Sequence, residues 1–381
     1  MCSQFCWQTL LRACALLALS LFSLGALAFE SPMVRPATPT AQALSHTLHD
    51  IAAVGDRMVA VGVHGHIAYS DDQGHNWQQA NVPVSEDLLA ISFADESFGL
   101  VVGHGGVILR TRDAGESWQL VLEGKEASQL FDEFYSQAVA EQSIDGADIL
   151  YERESFLREY GGTQSLMDVH CVSTEFCVAV GIFNRLLISR DAGETWQPWS
   201  HRIDNPMELH FYSIQPWNES MLIAGEQGHV WVFDQQQEYF DLRLTGYTGT
   251  LFGALGAGEN IVAHGMRGTV VTSADRGSNW QEVNVGTNAG VTNGVVKSDG
   301  TIVLGTLSGD LLISVDNGKS FEKRRLPQTM GIHSLALLAD ERVAIVGGTG
   351  FYPALVKVQG LSPLTLENIE KVTLIPHNNK K

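Results

Sequence analysis

Ser70-Asp71-Asp72-Gln73-Gly74-His75-Asn76-Trp77 is the first of five copies of one phrase, Ser/Thr-x-Asp-x-Gly-x-(Ser/Thr/Asn)-aromatic. The others run from Thr111 to Trp118, Ser189 to Trp196, Ser273 to Trp280 and Ser314 to Phe321. The chemistry is that of a tight turn. An Asp carboxylate can accept from nearby backbone N–H groups, the Gly can take positive φ, and the closing aromatic can bury its ring between strands. The expected turn residues are Asp72, Gly74 and Trp77; Asp113, Gly115 and Trp118; Asp191, Gly193 and Trp196; Asp275, Gly277 and Trp280; and Asp316, Gly318 and Phe321. All are assigned a structural role, with the aromatic rings largely buried.

An upstream glycine sets the period. Gly62, Gly103, Gly181, Gly225, Gly265, Gly305 and Gly347 are separated by 41, 78, 44, 40, 40 and 42 residues. The unit is about 41 residues, and the long gap is one unit plus an insertion. After Gly225 the strand His229–Phe233 is intact but the turn has decayed to Asp234-Gln235-Gln236-Gln237, and after Gly347 a strand follows without the phrase. Seven units result. Apolar alternation places short strands at Leu48–Val54, Met58–Gly62 and His66–Ser70, with a fourth after Trp77. Four short antiparallel strands per unit predict an all-β, seven-bladed β-propeller over 46–365, whose closed ring leaves no open sheet edge.

The flanks read differently. Arg12, an apolar run from Ala13 to Leu24 and Ala26-Leu27-Ala28 form a cleavable signal peptide over 1–28, which predicts a periplasmic or secreted protein. Residues 29–45, with Pro32, Pro36 and Pro39, are an extended lead-in, and 366–381 a C-terminal tail. No later stretch is apolar for long enough to span a bilayer. Loss of the leader removes Arg12, so 23 basic residues face 43 acidic ones and the formal net charge moves from −19 to −20. Such a surface repels nucleic acid and anionic membrane. Cys171 and Cys177 are the two cysteines left, at the hairpin between the first two strands of the third blade, and in an oxidising compartment they should pair.

The insertion spans 123–164. Phe131–Val139 and Ile149–Tyr160 place apolar residues three and four apart, so both read as amphipathic helices, with Asp145-Gly146 as the turn between them. Such a hairpin either packs on the ring or docks a partner. Phe131, Phe134, Tyr135, Phe156 and Tyr160 are the candidate partner-docking side chains.

Catalytic and metal chemistry are poorly marked. His64, His66, His104, His229 and His264 recur near equivalent blade positions, but isolated imidazoles capping strand ends are the favoured reading over a metal site. The Gly-x-x-Gly turns repeat with the blade and are hairpins. No catalytic residue, cofactor site or metal site is assigned.

Two resemblances follow from these residues. The turn phrase is that of the Asp-box, or BNR repeat, first associated with sialidases, where these turns are peripheral to an arginine triad, a Tyr/Glu pair and an acid. This chain has no Arg-Ile-Pro motif, and its arginines, such as Arg110, Arg112, Arg190 and Arg276, mostly follow turns or strands. The fuller pattern resembles the photosystem II stability/assembly factor family of seven-bladed propellers. That pattern runs from Val59-Ala60-Val61-Gly62 to Trp77 and recurs at Leu100–Thr111 and Val178–Gly181. The similarity covers roughly 46–360. It implies a non-enzymatic role in assembling membrane protein complexes, lumenal in photosynthetic organisms and exercised there through an arginine-rich patch. Similar exported propellers in other bacteria suggest an accessory factor of an envelope complex, with a resistance-nodulation-type transporter as one candidate. The resulting expectation is a monomeric, non-catalytic binding or assembly factor for a membrane or envelope complex. A glycan-binding or glycan-cleaving protein is the alternative; such a site should show stacked aromatics beside a close carboxylate pair.

Overall fold

The computed structural model describes residues 30–160, 162–369 and 372–375. The expected leader lies outside them. Seven antiparallel sheets occupy 48–79, 88–122, 166–198, 211–244, 251–282, 291–325 and 332–368, each ordered from its first strand to its last in chain sequence. The protein is a seven-bladed β-propeller with two helices inserted between blades 2 and 3. Blade 7 reaches Asn368, past the boundary expected at 365, and carries a short extra strand at Gly350–Phe351.

The sequence periodicity becomes intelligible in the packing. Apolar side chains gather in seven clusters, each joining two neighbouring blades. A middle strand is therefore covered on both faces, and Met58, Val59, Ala60 and Val61 are all fully buried. Burial on both sides selects a continuous apolar run there instead of alternation.

The recurring glycine answers to a close approach. A Cβ on Gly62 would sit 2.3 Å from the Thr47 carbonyl oxygen, and one on Gly181 would sit 2.2 Å from that of Ser165. Those oxygens accept from the next backbone N–H, Val63 in the first case and Ile182 in the second. The pinch ties the end of the second strand to the start of the first and recurs at Gly103, Gly225, Gly265 and Gly347, whereas in blade 6 the equivalent position is Thr306 and Gly305 faces the Ile332 side chain.

The Ser/Thr–Asp–Gly part of the turn phrase has one geometry in all five copies, and the closing indole bonds the glycine carbonyl in three, at Trp77, Trp118 and Trp280. In the first, Ser70 Oγ donates to Asp72 Oδ1 (3.0 Å) and accepts from Gly74 N (2.9 Å), while Asp72 accepts from Asn76 N (2.7 Å) and Asn76 Nδ2 (2.6 Å). Trp77 Nε1 donates to Gly74 O at 3.0 Å. Gln73 and Gly74 both have positive φ, 59° and 90°. Each turn also leans on the preceding blade. Gly115 faces Val59, Gly193 faces Leu100, and Gly74 closes the circle against Phe351 of blade 7. In blade 4 the shortened turn still uses its aspartate, with Asp234 Oδ1 accepting from Gln236 N and Gln237 N.

The aromatic rings are not equally covered. Trp77 is 0% exposed and Trp118 and Trp196 are each 6% exposed, whereas Trp280 and Phe321 are only half-buried, contrary to uniform burial. Cys171 and Cys177 face each other across their hairpin and form a disulfide, Cα–Cα 4.0 Å.

Three bridges run between blades at the rim. The segment leaving blade 1 pairs in parallel with the outer strand of blade 2 (Asn81 with Ser117), and the segment leaving blade 3 pairs with that of blade 4 (Ile203 with Phe240). Thr373–Ile375 makes the corresponding parallel pairing with Asn76–Gln79 of blade 1. The expected tail thus contributes a strand.

Candidate functional sites: the axial channel and the helical insertion

The first strands of the blades surround an axial cavity of about 360 Å³. Every one of them carries a register shift near its start, as between Leu48 and Asp50 or Val291 and Asn293. The residue at the shift turns toward the lumen: His49, Leu89, Met167, Tyr212, Phe252, Thr292 and His333. The next residue reaches sideways. Asp50 Oδ2 accepts from Ile91 N of blade 2 (2.9 Å), Asp168 Oδ2 from Ile214 N of blade 4 (2.8 Å), and Asn293 Oδ1 from Leu335 N of blade 7 (3.3 Å).

These bonds occupy both channel carboxylates. Asp50 Oδ1 also accepts from Ile51 N (2.9 Å) and Ser334 Oγ (2.6 Å), and Asp168 Oδ1 from Val169 N (2.8 Å). Burial pushes Asp50 up to about 6. Burial, with the Asp50 charge adding to it, pushes Asp168 up to about 8. Each oxygen holds framework N–H or O–H groups, so both groups act as rivets between blades. Sequence reading missed them, because one aspartate among many in strand-rich chain carries no mark of its register.

Most histidines are absorbed locally. His264 is buried with Nδ1 2.9 Å from Val291 O, and its ring fills the space over Gly253. His229 Nδ1 meets Gln227 O (3.0 Å) and His104 Nδ1 meets Ser165 Oγ (2.9 Å). His66 stacks on His46 at 5.6 Å, beside His64, and His49 stacks on His333 at 5.7 Å. Burial lowers His66, His170, His201 and His264 to about 4. Among the described residues, no group of three or more potential ligands is arranged to hold a metal.

The insertion comprises α1 (Gly124–Glu141) and α2 (Ala147–Glu159), longer at the first N-terminus than expected because a Glu123/Glu126 capping box starts it. Its base abuts blade 2, where Gly124 and Gly106 touch backbone to backbone. Helix α1 buries Ala127, Phe131, Tyr135 and Ala138, one face at helical spacing, in the cluster shared by blades 2 and 3. The Arg185 guanidinium lies over the Phe131 ring at 3.8 Å, and its Nη2 is 3.0 Å from Glu154 Oε2. Glu154, 0% exposed, also pairs with Arg153, whose Nη1 reaches Glu208 at 3.2 Å. Tyr135 Oη lies 3.2 Å from His201 Nδ1, and Phe134 stacks on the same imidazole at 5.7 Å.

The five candidate docking aromatics therefore separate. Phe131 and Tyr135 are core, and Phe134 is packed against it. The docking role expected of Phe131 and Tyr135 is corrected, since rings this deep cannot meet a partner without unfolding the hairpin, whereas Phe134 is only partly buried. Phe156 and Tyr160 are 59% and 70% exposed and touch each other, ring centroids 4.6 Å apart.

With that geometry in view, a family model described as photosynthesis system II assembly factor YCF48 matches residues 69–132. The chain is a seven-bladed propeller that is similar to that family over those residues. Among solved structures, the ring is similar to "YCF48 bound to D1 peptide" (14% identity, TM-score 0.59, 81% of this chain and 92% of that one). It is also similar to YCF48 from Cyanidioschyzon merolae (12%, 0.57, 83% and 97%). The WD40 propeller domain of Doa1 superposes comparably (10%, 0.58, 84% and 94%), so at this identity the likeness is one of fold. No curated protein sequence matches the chain.

Proposed function

We propose that the protein is an exported, non-catalytic binding or assembly factor for a membrane protein complex. One contrast carries this reading. The channel carboxylates are committed to holding blades together, while the helical insertion between blades 2 and 3 presents Ile149, Phe156 and Tyr160 to solvent. A propeller similar to YCF48, one structure of which is bound to a D1 peptide, makes a membrane protein the natural partner class. The Cys171–Cys177 disulfide favours an oxidising compartment, as the apolar leader does. A transporter as partner has no support in these likenesses.

Affinity capture from detergent-solubilised membranes, read by mass spectrometry against an unrelated propeller of equal charge, tests the reading. Specific recovery of a membrane protein is expected. Recovery indistinguishable from the control would refute it. The glycan alternative draws on Tyr212 and Phe252, ring centroids 6.1 Å apart at the channel. Turnover of fluorogenic glycosides that is lost on Tyr212→Ala would establish it instead.

A further inference from the structure

Helix α2 packs Ala147, Leu150 and Tyr151 on the core and shows a second apolar line to solvent. Counted at about 100° per residue, Ile149, Phe156 and Tyr160 fall within about 20° of one line, and that line faces solvent. Their exposures are 66%, 59% and 70%. The opposite side carries the fully buried Glu154, clamped by Arg153 and Arg185, and Arg158, whose Nη1 is 2.9 Å from Asp132 of α1. A helix whose apolar inner contact is already filled, and which still shows a second apolar line outside, is covered by something else when it works.

The flank of that line is acidic. Asp148, Glu152 and Glu159 lie about 60° to 100° to one side of it, all exposed. Among the described residues, none of the three has a cationic partner. At its N-terminal end the line runs into a cleft of about 280 Å³ against the connection from blade 3 to blade 4, lined by Ile149 and Pro206 and by Asp145 and Asp204. The only cations on α2, Arg153 and Arg158, are both engaged.

We propose that this outer face of α2 docks an amphipathic helix of the partner whose apolar side covers Ile149, Phe156 and Tyr160 and whose Lys or Arg residues meet Glu152, Glu159 and Asp148. The proposal deepens, and rests on, the reading of the protein as a binding factor. From Ile149 to Tyr160 the line is about 16 Å long, which matches three turns of an opposing helix. Acids on one flank only fix the partner's direction and face, since the reverse orientation would leave its cations over uncharged surface.

The test uses the whole chain and synthetic peptides of about five helical turns. One is a Leu/Lys sequence patterned as an amphipathic helix, the second a scrambled isomer of the same composition, and the third the same pattern with Glu for Lys. Binding is read by fluorescence anisotropy at low and high salt. The patterned basic peptide should bind at least about tenfold more tightly than either control. Phe156→Asp should remove that preference, and so should Ile149→Asp at the other end of the line. The double change Glu152→Gln with Glu159→Gln should flatten the salt dependence. Melting curves and near-ultraviolet dichroism matching the wild type establish that each variant is folded.

Equal binding of the patterned and scrambled peptides overturns the proposal, as does wild-type binding by both folded Asp variants. The membrane capture separates the two levels. If folded Phe156→Asp recovers the wild-type partner in full, this docking surface is wrong and the binding function stands. If the wild type recovers nothing, both fall.

Discussion

Replacing the turn-closing tryptophans one at a time should destabilise the ring in a graded way. Trp77 is 0% exposed, donates to Gly74 O at 3.0 Å and meets Phe351 edge-on at 5.0 Å across the junction of blades 1 and 7. Truncation of a buried Trp to Ala costs about 3 to 5 kcal/mol, and an orphaned carbonyl adds about 1 kcal/mol. Trp77→Ala should therefore cost about 5 kcal/mol. Trp118 and Trp196, at 6% exposure each, should cost about 4 kcal/mol. Trp280 keeps its hydrogen bond to Gly277 O (2.9 Å) but is only half-buried, so its loss should cost about 2 kcal/mol. Urea unfolding followed by far-ultraviolet dichroism reads the series without relying on the missing fluorophore. With a slope of about 3 kcal/mol per molar, the Trp77 midpoint should fall by roughly 1.5 M and the Trp280 midpoint by well under 1 M. Equal shifts for the two would refute the idea that depth at the blade junction, and not the phrase itself, sets the contribution.

Stability should fall on the alkaline side. Asp168 is held up at about 8, so its contribution is complete below the ordinary carboxylate range and is lost as pH rises through 8. The histidines lowered to about 4 act oppositely, losing stabilisation as pH falls below 6.5. Between pH 6.5 and 8 only Asp168 still titrates among these groups, for a loss of about 2 kcal/mol. Thermal melts should show it, and Asp168→Asn, though less stable at pH 6.5, should lack the slope; an unchanged slope would sink the assignment. Arg185→Met should cost about 3 kcal/mol, because buried Glu154 is left with Arg153 as its one cation. If Arg185→Met melts like the wild type, the buried pair does not anchor the hairpin.

The ring was legible because its determinants are local and repeated. The pinch at Gly62 recurs in six of the seven blades, the Ser–Asp–Gly bonds of Ser70–Asn76 recur in all five copies of the phrase, and Cys171 faces Cys177 across a short hairpin. What escaped depends on neighbours distant in sequence. Phe131 and Phe156 look alike on a helical wheel, and the difference is that Arg185, from the next blade, covers the first. Glu154 reads as a surface residue until the same arginine arrives to neutralise it. Asp50 and Asp168 differ from the chain's other aspartates only by standing one residue past a register shift. Trp280 obeys the phrase yet stays half-open, since cover comes from the adjoining blade and not from the turn.

The bridges at the rim give the ring a direction in time. Each blade is a continuous stretch of chain, so it can form as soon as it is synthesised, and blades 2 and 4 are clasped at the outer edge by the segment that left the blade before them. Blade 1 alone must wait: Thr373 pairs with Asn76, across 373 − 76 = 297 residues. Joining such distant points from a flexible chain would cost about 5 kcal/mol in closure entropy, a cost that stacking six rigid blades removes step by step. Until blade 7 arrives, the growing molecule is an open crescent with two bare apolar flanks, one at blade 1 and one at whichever blade is newest. Arrest or proteolysis before blade 7 should therefore yield a species that self-associates through those flanks, and blade 7 with its parallel strand at Thr373–Ile375 turns a sticky crescent into a closed ring.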